Sequence, residues 1–83
     1  MAQQYAKLTL DQPAVYRIRI QGQLDENWSD YLGGLEIRCT PLSSNPDVTT
    51  LSGQLFDQAA LFGVLNSLYG LGLPLLSVER VVE

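Results

Sequence analysis

The most regular stretch of the chain covers residues 14–24, where Tyr16, Ile18 and Ile20 alternate with Arg17, Arg19 and Gln21. A period of two puts the first set on one face and the second on the other, as in a half-buried β-strand. The rhythm returns at Leu35, Ile37 and Cys39, which alternate with Glu36, Arg38 and Thr40 and predict a second strand with Cys39 on its inward face. Between them, Asp25 is placed to cap a helix of about two turns through Asn27, Trp28 and Tyr31 to Leu32, which Gly33 and Gly34 end. Trp28 and Tyr31 are its expected apolar anchors.

Residues 41–47 (PLSSNPD) are dense in turn formers and read as a hairpin loop. Residues 48–55 start β-branched and hold Leu51 and Leu55 in alternation, with Gly53 as the expected bulge, and predict a third strand. Asp57 then caps a helix to Tyr69, in which Leu61, Val64, Leu65 and Leu68 have the spacing of a core-facing stripe. Gly70 or Gly72 is expected to stop it, and the run LPLLSVERVV predicts a fourth strand. Residues 1–13 are expected to form a flexible tail, or a weak strand at residues 7–10, ahead of a single α+β domain over residues 14–83.

The order β-α-β-β-α-β is that of the ferredoxin-like split sandwich, a four-stranded antiparallel sheet with both helices on one face and the first helix short. The stretch between the first two strands, about ten residues, is close to the least that can return a chain to a parallel strand. The competing expectation is therefore a three-stranded meander with one helix across it and a final strand.

With 83 residues the chain makes one domain, and 46% hydrophobic content is enough to build its core. The lone cysteine, Cys39, excludes an internal disulfide and fits a reducing compartment, and the opening MAQQY is no secretion signal, so a cytoplasmic protein is expected. A net charge of −4 opposes attraction to polyphosphate backbones, and the outward strand positions carry no aromatic residues for stacking RNA bases. Composition therefore argues against a nucleic-acid partner.

There is no histidine, which removes the commonest general base and transition-metal ligand, and Cys39 is expected to be a buried, inert thiol. Asp25, Glu26 and Asp30 surround Trp28 but lack the spacing and turn glycine of a calcium loop, and read as carboxylates favoured at a helix start. No phosphate-binding glycine pattern occurs. The expectation is a non-enzyme without metal or cofactor.

One uncharged run of 21 residues extends from Gln58 to Val78. It is long enough to cross a bilayer as one helix, but its glycines, Asn66, Ser67 and Pro74 interrupt it and acidic residues flank it, so no membrane span is expected. Within the predicted helix the side opposite the leucines is Ala59, Gly63, Asn66 and Ser67, with Phe62 and Tyr69 on its flank. Surface helices ordinarily place charges there. Its absence points to a covered face, with a second copy of the chain or another protein as partner. The alternative surface is the outer sheet face, where Arg17, Arg19, Arg38 and Arg80 share space with Glu36 and Glu79, either as cross-strand pairs or as a site for a small anion.

The segments GQLDENWSDYLGGLEI and TTLSGQLFDQAALFGVLNSLYGLGLPLLSVERV resemble a family of small uncharacterised bacterial proteins, marked by WSD…GGL and DQAAL…LGLPLLSV, over about residues 14–81. The resemblance implies a bacterial single-domain protein and transfers no catalytic residue. The expected function is a non-enzymatic interaction or assembly module, self-associating as a homodimer through the uncharged helix face with Ala59, Phe62, Gly63, Asn66 and Tyr69 or through an open sheet edge. The alternative is a small-ligand-binding regulatory domain using Arg17, Arg19 and Arg38.

Overall fold

A computed structural model of the chain describes residues 10–40 and 47–81. In chain order these are β1 (Ala14–Gln21), a 3-10 helix (Glu26–Leu32), β2 (Glu36–Thr40), β3 (Val48–Leu55), α1 (Gln58–Gly70) and β4 (Leu75–Val81). The strands form one open sheet in the order β2-β3-β1-β4, antiparallel at every junction. β1 pairs with β3 and not with β2, so the expected alternative of a meander does not form. β1 and β2 run the same way with β3 between them, and β3 and β4 run the same way with β1 between them. The 3-10 helix and α1 are the two crossovers.

The first crossover is tighter in winding than the α-helix expected. A 3-10 helix rises about 2.0 Å per residue against about 1.5 Å for an α-helix, so its seven residues span about 14 Å and not about 10 Å. That extra reach lets so short a connection carry the chain past β3 to the far edge. Asp25 caps it as predicted, its carboxylate accepting from the Asn27 amide at 2.8 Å.

Three residues per turn also decide what the segment buries. Glu26, Ser29 and Leu32 share one ridge, and its inner end holds Leu32, fully buried, with the Ser29 hydroxyl donating to the Leu35 carbonyl at 2.6 Å. Trp28 and Tyr31 eclipse each other on an outer ridge and meet edge to face at 5.5 Å. They are exposed, so Leu32 is the anchor and the expectation for the two aromatics is corrected.

The core is the face of the sheet under α1. Tyr16, Ile18 and Ile20 of β1, Ile37 of β2 and Leu51 and Leu55 of β3 are buried there against Leu61, Val64 and Leu68 of α1 and against Leu32 and Leu35. Thr49 is the buried polar exception, and its hydroxyl is satisfied by the Gly22 carbonyl at 2.5 Å. Gly53 is no bulge, because β1 and β3 keep one register along their whole length. Its φ of 150° and the Leu35 methyl that a Cβ would meet at 3.2 Å explain the glycine instead. The shift in register falls in β4, opposite Arg19 and Ile20.

Asp57 caps α1 by accepting from the Ala60 amide at 2.8 Å. Gly70 is still helical, and the chain turns at Leu71 and at Gly72, which adopts φ 76°. Of the expected N-terminal tail and hairpin loop, residues 1–9 and 41–46 lie outside the described residues. The Leu10 carbonyl accepts from the Gln58 amide at 2.9 Å, and the Asp47 carbonyl from Gly22 at 2.8 Å, which ties both ends to the domain.

Gly33 joins the two crossovers. It caps the 3-10 helix with φ 74°, and a Cβ there would lie 2.9 Å from the Leu55 side chain and 3.3 Å from Val64. Gly34 has nearly the same φ, 73°, but open space around it. Gly34→Ala is therefore expected to cost about 1–2 kcal/mol, the left-handed strain alone, and Gly33→Ala a further ~1–3 kcal/mol for overpacking. Chemical denaturation of both variants checks this, and equal costs would contradict the packing described.

Candidate functional site: an uncovered edge strand

The two edges of the sheet differ. At the β2 edge the 3-10 helix lies against the strand, and Leu35 and Ile37 are buried. At the β4 edge the only extensive neighbour among the described residues is β1, because α1 rests toward β3 and the 3-10 helix. None of the seven residues of β4 is buried. Val78 faces the fully buried Ile18 across the ladder and yet is 37% exposed, which places it on the core face beyond the cover of the helix. Leu75 and Leu76, where the register shifts, are 53% and 51% exposed.

The neighbouring flank of α1 continues this surface. Phe62 and Tyr69 are two turns apart and share a flank with Leu65 between them, and they are 63% and 83% exposed. Leu65, Leu68 and Tyr69 face Leu73, Pro74 and Leu75 across an apolar groove of about 240 Å³. Ala59, Gly63 and Asn66 are exposed further round the helix, and Ser67 turns its hydroxyl back onto the Gly63 carbonyl at 3.0 Å. The structure thus joins two of the predicted residues, Phe62 and Tyr69, to an apolar strand that periodicity alone did not single out. Leu75, Leu76 and Val78 read in sequence as an ordinary core strand, and only the sheet order shows them at an edge.

On the opposite face of the sheet the charges are paired. Arg17 and Arg19 of β1 both reach the Oε1 atom of Glu79, at 2.9 and 3.6 Å, and Arg38 pairs along its own strand with Glu36 at 3.3 Å. Arg80 is not among them. The ladder places it opposite the inward-facing Tyr16, so it lies half-buried on the helix side, which corrects its expected position. Cys39 faces inward as predicted, beside Thr49, but is exposed because it lies near the end of edge strand β2. Asp25 is used as a cap, and among the described residues no three Cys, Asp or Glu side chains gather as a metal-ligand set. Among them, too, no helix is long and apolar enough to cross a membrane.

A protein-family model described as "Domain of unknown function (DUF8691)" matches residues 15–79. No curated protein and no solved structure matches the chain.

The Arg17 and Glu79 side chains are 38% and 46% exposed, so solvent screens their attraction. A double-mutant cycle of Arg17→Ala and Glu79→Ala is expected to give a coupling of at most about 1 kcal/mol that fades in molar salt. A larger, salt-insensitive coupling would show that this face is shielded from water.

Proposed function

The chain belongs to that family of unknown function, and we propose that it is a non-catalytic interaction module that assembles with a second copy of itself across the uncovered side of its sheet. The observation that carries this reading is Val78, a core-face residue beside fully buried Ile18 that the described residues leave 37% exposed. Edge strands are ordinarily blunted by charges, a proline or a covering element, and in β4 the charges, Glu79 and Arg80, stand only in its second half. Here the edge begins Leu75-Leu76 and borders the aromatic flank of α1.

The dimensions suit a dimer. Aromatic side chains present about 150–250 Å² each, so Phe62 and Tyr69 at their exposures offer about 300 Å² together. A stable interface takes about 800 Å² per partner. Leu75, Leu76 and Val78 of β4, 53%, 51% and 37% exposed, enlarge that patch. We read the framework as a variant of the ferredoxin-like split β-α-β class, a reading supported by a strand order of 4-1-3-2 from the open edge, with the first helix reduced to a 3-10 segment. A bacterial, cytoplasmic setting accords with the lone free cysteine and with the sequence resemblance.

One observation favours a second reading, a regulatory domain for a small anion. Two guanidinium groups, Arg17 and Arg19, face the one carboxylate of Glu79. On that reading inorganic phosphate or a metabolite raises the melting temperature, and Arg17→Ala with Arg19→Ala abolishes the rise.

Light scattering at tens of micromolar tests the leading reading. The expected result is twice the mass of one chain, reduced to that of one chain by Leu76→Glu or Phe62→Glu with the circular dichroism unchanged. A monomeric wild-type protein overturns it.

A further inference from the structure

We infer that β4 pairs antiparallel with β4 of the second copy about a two-fold axis through Val78, joining two four-stranded sheets into one of eight strands. This rests on the self-assembly reading above and specifies its geometry. Among the described residues β4 bonds to β1 along one side only, so its other side presents backbone N–H and C=O groups ready to extend the ladder. The β2 edge is the poorer candidate, since the 3-10 helix packs against that strand and Leu35 and Ile37 beside it are already buried.

Symmetry and charge select the register. A two-fold axis normal to the sheet keeps each side chain on its own face, so every allowed antiparallel register is centred on one residue. A parallel pairing in register sets Glu79 beside Glu79 and Arg80 beside Arg80, and centring on either residue repeats one of those clashes. Centring on Ser77 leaves Arg80 and Val81 unpaired and puts Leu75 against Glu79. Centring on Val78 pairs Ser77 with Glu79 and Leu76 with Arg80 on either side of it, up to the register shift at Leu75 and Leu76, and no like charges meet.

That register also satisfies a group the single chain leaves unsatisfied. The Ser77 hydroxyl is buried without a hydrogen-bond partner, a state rare enough in folded proteins to need a cause. Its partner in the proposed ladder is Glu79 of the second copy, on the same face at the ~4.5–5.5 Å Cβ separation of directly opposed residues. Both arginines of Glu79 use Oε1, which leaves Oε2 to accept. The bond requires Ser77 to leave its present χ1 well for another staggered one that faces the partner strand. On the helix side Val78 meets its own copy, and the half-buried Arg80 lays its methylene stem on Leu76 of the other chain. The Leu65, Phe62 and Tyr69 flank of each α1 borders the seam.

Cysteine oxidation in a Cys39→Ser background tests the register. Val78→Cys is expected to form a covalent dimer. Arg80→Cys is not, because its copies lie about 13 Å apart along the seam. Ser77→Ala gives a second measurement that needs no disulfide geometry. It removes an unsatisfied hydroxyl from the monomer, so it leaves the melting temperature of dilute protein unchanged or higher, yet it weakens dimerisation by about tenfold or more. A wild-type dimer in which Val78→Cys does not cross-link and Ser77→Ala has no effect on dimerisation overturns the β4 pairing while self-assembly stands. A wild-type monomer overturns both.

Discussion

One α-helix cannot roof a four-stranded sheet. Strand axes about 4.8 Å apart set the outer pair about 14 Å from each other, while a helix with its side chains is about 10 Å wide. In this chain the 13 residues of α1 are the only α-helix among the described residues, and the other crossover is a 3-10 segment of seven. The two together cover β2, β3 and β1. What they leave bare is β4, and the exposure of Leu75, Leu76 and Val78 follows from that shortfall and not from any weakness of the strand itself.

The placement of the helix has a local cause. Gly33 ends the 3-10 helix in a left-handed conformation and at the same time leaves room for Leu55 and Val64 to close over it. α1 is thereby drawn toward the β3 and β2 side, where Leu61, Val64 and Leu68 find buried partners. The flank that remains, Leu65 with Phe62 and Tyr69, overlooks β4 across the groove. Its lack of charge and the apolar character of the strand edge are two consequences of one geometry, and the proposal of a second copy across that edge answers both.

Much of this was legible in the residues. Alternation located β1 to β3, the carboxylates of Asp25 and Asp57 marked both crossover starts, and the leucine stripe identified the buried side of α1. The errors share a physical origin in phase. A 3-10 winding has a period of three and not 3.6, which put Trp28 and Tyr31 outside and Leu32 inside. In LPLLSVERVV several apolar residues adjoin, so alternation could not say which face held Arg80, and the ladder with β1 decided it. Cys39 lies on the face its alternation predicts, and its exposure depends on where the covering elements stop. The exposure of β4 could not be read at all from its own residues, because an apolar strand at an edge has the composition of one in a core. The missing charge on the flank of α1 was the only trace of it in the sequence.

Hydrogen exchange of the β4 amides, followed as the protein is diluted, measures the central claim directly. If a second copy completes the ladder, the amides of β4 that point away from β1 are protected at high concentration and lose protection on dilution, while those of β1 and β3 stay protected throughout. Outward β4 amides that exchange freely at every concentration would contradict the account.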